Sequence, residues 1–101
     1  MTVEQLSAEE RDSWLSGLKD WSLTREGKAI ERKIEFADFS EAFAFMTRVA
    51  MIAESRDHHP EWFNVYNRVS VDLTTHDSGG LTELDVGLAT RMDAIAAGLP
   101  P

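Results

Sequence analysis

Residues 58–76 read HHPEWFNVYNRVSVDLTTH, and the fold turns on where this run bends. Val65, Val69, Val71 and Leu73 mark β structure from Trp62 to His76. That span exceeds the usual strand of about 5–6 residues, so it divides into two strands with a break near Asn67. On the other side of the histidines, Pro60 has no N–H to donate and turns its predecessor away from helix. The helix that Asp38 and Glu41 cap therefore stops by about Asp57.

Working outward, Ile30, Ile34 and Phe36 alternate with Glu31, Lys33 and Glu35. Trp21 and Leu23 alternate in the same way on the far side of a Glu26-Gly27 turn, which predicts a hairpin with one wet face. Ser7 with Glu10 forms a capping box for a first helix that ends near Gly17 to Lys19 and carries Trp14, Leu15 and Leu18 inward. Thr82 with Asp85 caps a last helix presenting Leu84, Leu88, Met92 and Ile95 and ending at Gly98-Leu-Pro-Pro. Phe63, in register with Val65, is expected to be a plain core or sheet residue. The order α-β-β-α-β-β-α predicts an α+β fold: one domain over residues 1–101, with helices packed on one face of a four-stranded, mostly antiparallel sheet.

The second helix carries two apolar stripes: Phe39, Phe43, Met46, Ala50 and Ala53 form one, Phe45, Val49 and Ile52 the other. A helix covering one side of a sheet needs a single stripe. Either this is one broad face, or the second stripe, Phe45 and Val49 above all, packs against another subunit.

Composition narrows the function. At 101 residues, 43% apolar and 28% charged, the chain is of globular rather than disordered type. No apolar run approaches the ~18–20 residues of a membrane span. The N-terminus shows no basic-then-apolar signal segment. With no cysteine at all, disulfides and thiolate chemistry are excluded, which fits a cytoplasmic location. A net charge of −8 disfavours nucleic acid and anionic membranes, leaving a small molecule or another protein as partner.

The three histidines, His58, His59 and His76, share one region with Glu54, Asp57, Glu61, Asp77 and Asp85. Histidine serves as both acid and base near neutral pH, so the cluster suggests proton transfer. Three imidazoles can also hold zinc. Neighbouring side chains in extended backbone point to opposite sides, however, so His58 and His59 do not converge naturally on one ion. Each carboxylate has a plainer reading: Glu54 as a helix-end ion pair four residues before His58, Asp85 as a cap for Thr82.

Glu54, His58-His59-Pro60, Tyr66, His76 and Asp85, at these spacings, resemble the signature of the pterin-4a-carbinolamine dehydratases. The flanking DHHPEWFNVYN and THDSGGLT and the opening LSAEE are similar as well, so the resemblance covers the whole chain. It implies removal of water from 4a-hydroxytetrahydropterin to give quinonoid dihydropterin, in tetrahydropterin recycling for aromatic amino-acid hydroxylation, with no metal or organic cofactor. It further implies His58, His59 and His76 as catalytic residues. His59 and His76 would act as acids at the hydroxyl and His58 as base at N5, with Glu54 and Asp85 orienting or charge-tuning the rings. Backbone around Pro60 and along Thr75, His76, Asp77 and Ser78 would bind the pterin edge, and the chain would form a homodimer or homotetramer. Two other readings stand beside this one: a protein-binding module, because animal members also act as dimerisation cofactors, and a metal-dependent hydrolase.

Overall fold

The computed structural model describes residues 3–99. Three helices, α1 (Ala8–Leu15), α2 (Phe39–Ser55) and α3 (Glu83–Ala97), accompany four strands, β1 (Ser22–Thr24), β2 (Ala29–Glu35), β3 (Glu61–Val65) and β4 (Arg68–Leu73). The sheet order is β1-β2-β4-β3, and all three pairings are antiparallel. The break between β3 and β4 falls at Tyr66-Asn67, where Tyr66 takes a positive φ of 51°. Asn67 then ties the hairpin to β2 through its side-chain N–H to the Phe36 carbonyl (2.9 Å).

Register places the core. Ile34 faces Val69, Arg32 faces Val71 and Ile30 faces Leu73. With side chains alternating along each strand, these residues share the helix-covered side. Across it α2 lays Ala42, Phe45, Val49 and Ala53, all buried, and α3 lays Val86, Leu88, Ala89 and Met92. The Phe36 and Phe45 rings pack at 5.1 Å between centroids. Asp93 accepts from Trp21 Nε1 at 2.8 Å and from Arg32 at 2.6 Å, which fastens the end of α3 to β2.

Three expectations about faces fail, and a fourth is narrowed. Phe45 and Val49 face the sheet and are fully buried; the outward stripe of α2 holds Phe39, Phe43 and Met51. The reason is spacing: residues 42, 45, 49 and 53 form the helical row that meets the sheet, and Ala53 belongs to that row rather than with Phe39. Trp14 is 42% exposed, because α1 is only two turns long and buries no residue; Leu18 enters the core from beyond its end. Leu23 lies on a three-residue edge strand and is exposed, although its partner Ile30 is buried. Phe63 is a residue of the sheet and not of the core, 68% exposed, since alternation along β3 turns Trp62, not Phe63 or Val65, toward the core. Pro100 and Pro101, read as the terminator of α3, lie outside the described residues.

Candidate active site

Helix α2 ends so as to aim His58. Asp57 takes a left-handed φ of 50°, its N–H bonds Glu54 O, and the His58 N–H reaches back to Ala53 O (3.1 Å). This pair of bonds is a Schellman ending, with aspartate where glycine is usual. It drives the His58 ring inward to 8% exposure, where Nε2 lies 2.6 Å from Asp85 Oδ1.

Asp85, fully buried, has two duties. Its Oδ2 accepts from the Thr82 N–H (2.9 Å), completing the capping box of α3, and from Thr75 Oγ1 (2.7 Å). Thr75 and Thr82 hydroxyls are also in contact at 2.7 Å. Since Thr75 has one proton and gives it to Asp85, Thr82 must donate to Thr75. Every oxygen of this buried cluster is thereby satisfied. Asp85 Oδ1 is left for the imidazole N–H, so neutral His58 carries its lone pair on Nδ1.

His59 is half exposed and bonds Glu54 through Nε2 at 2.7 Å. Glu54 thus serves His59, not His58, for which its spacing had suggested it. The two adjacent rings are held by different carboxylates, and among the described residues no group of three His, Asp or Glu side chains is placed to hold a metal ion.

His76 begins a short 3-10 turn, His76–Ser78, closed by Gly79 with φ 76°. A Thr75–Gly80 bridge pins the base of this loop. The N-terminal segment lies along it: Ser78 Oγ donates to Val3 O, and the Leu6 N–H to Leu81 O (2.8 Å). A side chain at Gly80 would strike Gln5 at 2.7 Å, so glycine permits this close approach.

These segments enclose a cleft of about 380 Å³, lined by His58, His59 and His76 with Val3, Asp57, Glu61, Thr74, Thr75, Asp77, Ser78 and Leu84. All three expected histidines meet there, as do Thr75, Asp77 and Ser78. Glu54 and Asp85 stand behind His59 and His58, and Pro60 is half-buried at the entry to β3 rather than in the wall. Glu61 and Thr82 went unassigned in sequence: Thr82 read only as a cap, and nothing in spacing alone set Glu61 on the cleft. A second, wider cleft, lined by Phe43, Met46, Met51 and Trp62, is apolar and lacks any histidine.

Comparison with known proteins points the same way. Residues 4–95 match the family model described as pterin 4 alpha carbinolamine dehydratase. A Bradyrhizobium protein named "Putative pterin-4-alpha-carbinolamine dehydratase" is 60% identical over 97 residues, covering 96% of this chain and 97% of its own. A Burkholderia multivorans protein of the same name is 56% identical over 99 residues, covering 98% and 97%. A Brucella melitensis crystal structure, titled transcriptional coactivator/pterin dehydratase, superposes with a TM-score of 0.88 at 48% identity, covering 92% of this chain and 99% of that one. With a family match spanning nearly the whole length, and the histidines that carried the resemblance gathered in one cleft, the chain belongs to the pterin-4-alpha-carbinolamine dehydratase family.

Proposed function

We propose that this protein dehydrates 4a-hydroxytetrahydropterin to quinonoid dihydropterin by histidine acid–base catalysis. The observation that carries the reading is the convergence of three imidazoles on one polar cleft, two of them braced by carboxylates at 2.6 and 2.7 Å. Loss of water breaks the C4a–O bond; one proton must reach the departing oxygen and the N5 proton must leave. His59 and His76, at the accessible side of the cleft, supply the acid at the hydroxyl. His58, whose Nε2 proton is committed to Asp85, offers Nδ1 as the base for N5. The arrangement is the histidine–carboxylate orientation familiar from other acid–base sites, in which the carboxylate fixes tautomer and ring. Thr75, Asp77 and Ser78 border the cleft where the pterin edge would hydrogen-bond, and Pro60 shapes the turn beside it. No metal or organic cofactor enters this scheme.

The wider role follows the same reading: tetrahydropterin recycling behind aromatic amino-acid hydroxylation, in the cytoplasm, by a homodimer or homotetramer. The exposed Phe39–Phe43–Met51 stripe of α2 favours an assembly role alongside catalysis. The Brucella relative's description as a coactivator belongs to that protein, and a coactivator role here would use the same face. The deciding experiment is a dehydration assay with freshly generated carbinolamine, run with and without exhaustive chelation. Rapid turnover unaffected by EDTA is expected. Turnover at the uncatalysed rate would refute the reading, and loss with EDTA followed by recovery with Zn²⁺ would replace it with a metal mechanism.

A further inference from the structure

The turn joining β1 to β2 runs against backbone preference. Arg25, Glu26 and Gly27 have φ values of 53°, 59° and 84°, and only the last is glycine. Ordinary residues enter this region at a cost, and successive ones persist where the surroundings demand it. What the turn delivers is the Arg25 guanidinium, bound through both arms to Glu61 at 2.7 and 3.3 Å. Arg25 follows one edge strand of the sheet and Glu61 opens the other, so the side chain reaches across the outer face to the wall of the histidine cleft.

It crosses an unfavourable row. Asp72 on β4 stands opposite Glu31 on one side and Glu61 on the other. Like charges directly opposite each other repel. Burial first, then the Glu31 charge, pushes the Asp72 carboxyl above its ordinary range. Glu61 moves the other way: the Arg25 hydrogen bond, and more weakly the charges of Arg25 and His76, hold its carboxyl below the usual range.

We propose that Arg25 and Glu61 are positioning residues for the histidine cleft, Arg25 holding the Glu61 carboxylate as a fixed negative charge in the wall that it shares with His76. The inference rests on the dehydratase reading above. A fixed negative charge favours the protonated ring that an acid must present. Arg25, bonded through both arms, fixes where that carboxylate sits. The other titratable groups lining the cleft are Asp57, His58 and His59 from the α2–β3 loop and Asp77 on the His76 turn, while Asp72 on β4 and Glu31 on β2 follow Glu61 across the outer face. Glu54 and Asp85 are already engaged by His59 and His58.

The test is an NMR titration of the His76 ring, without substrate and at low salt, in the wild type, Glu61→Gln, Arg25→Gln and the double variant. Removing the carboxylate should move the His76 midpoint down. Removing only the arginine should move it up, and the double variant should match Glu61→Gln. These shifts should shrink in ~1 M salt, where screening acts over about 3 Å. In the assay, kcat of Glu61→Gln should fall on the order of two- to fivefold with little change in KM, as befits a partly exposed charge. Both side chains are about half exposed, so the variants should fold, which near-UV circular dichroism checks. An unmoved midpoint in folded variants overturns the proposal and leaves a merely structural ion pair. An Arg25→Gln shift that persists without Glu61 also overturns it, because Arg25 would then act directly. Moving midpoints in a wild type without dehydratase activity would leave the pairing standing and remove the reaction.

Discussion

Among single residues, Asp85 shows how one side chain can satisfy two readings at once. Its sequence position allowed either a cap for α3 or a partner for an imidazole, and the structure gives one oxygen to each duty. Asp85→Asn should accordingly lower both melting temperature and rate, whereas a pure cap would touch only the first. Loss of the cap and of a buried bond amounts to about 1–3 kcal/mol, or roughly 5–15 °C for a domain of this size. For the histidines, His59→Ala or His76→Ala should reduce turnover on the order of 10²–10⁴-fold with the fold intact, as steady-state rates and circular dichroism would show. Wild-type rates in both would remove them from the mechanism. Asp72 offers a separate check of the outer face. Its carboxyl is raised, so the folded state holds that proton more tightly than the unfolded chain and pays for the ionised form at neutral pH. Asp72→Asn should therefore raise the melting temperature by roughly 1–4 °C near pH 7. The gain should vanish as pH falls below the ordinary aspartate range, about 3.9. A gain that persists at pH 3 would show that the effect is not electrostatic. The histidines were legible because no other residue type carries their chemistry. Arg25 was not, since its partner lies thirty-six residues away across the sheet.

Element by element, caps and breakers read more truly than faces. Ser7 with Glu10 and Thr82 with Asp85 form the reciprocal bonds their spacing implies, and Asp38 accepts from the Glu41 N–H. These are local interactions within one turn, so sequence holds all the needed information. Which stripe of α2 meets the sheet depends instead on where β2 and β4 lie, and two apolar rows about 100° apart look alike until then. In sequence Phe63 stays open between core and sheet for a similar reason: alternation fixes that Trp62 and Phe63 face opposite ways, not which way is in. The consequence for α2 is testable. Val49 is fully buried in the core, so Val49→Glu should destabilise by about 3 kcal/mol or more and prevent folding at ordinary temperature. Phe43→Glu, at 56% exposure, should still fold, with a far smaller loss of melting temperature than Val49→Glu, that loss coming from dissociation of the oligomer. Thermal denaturation of the two variants side by side separates the faces, and a folded Val49→Glu protein would contradict the assignment of the core.

Taken as a whole, the molecule leaves an apolar surface for a chain carrying a net charge of −8. Phe39 and Phe43 stack at 5.7 Å on the outer side of α2, and Met51 is 71% exposed. Phe43 and Met51 also line the apolar cleft that runs to Trp62. Contiguous apolar surface of this kind usually marks an interface. The homo-oligomer proposed above should thus form through Phe43 rather than through Phe45 or Val49, which the core already uses. Light scattering should find the wild type above monomer mass at micromolar concentration. Phe43→Glu should bring it to monomer mass, because a carboxylate without a partner is costly in a dry interface. The cleft of histidines lies within one chain, so the monomeric variant should keep a dehydration rate of the same order. A wild-type monomer would refute assembly altogether, and an oligomer unchanged by Phe43→Glu would move the interface elsewhere, with the exposed edge strand β3 the next surface to probe.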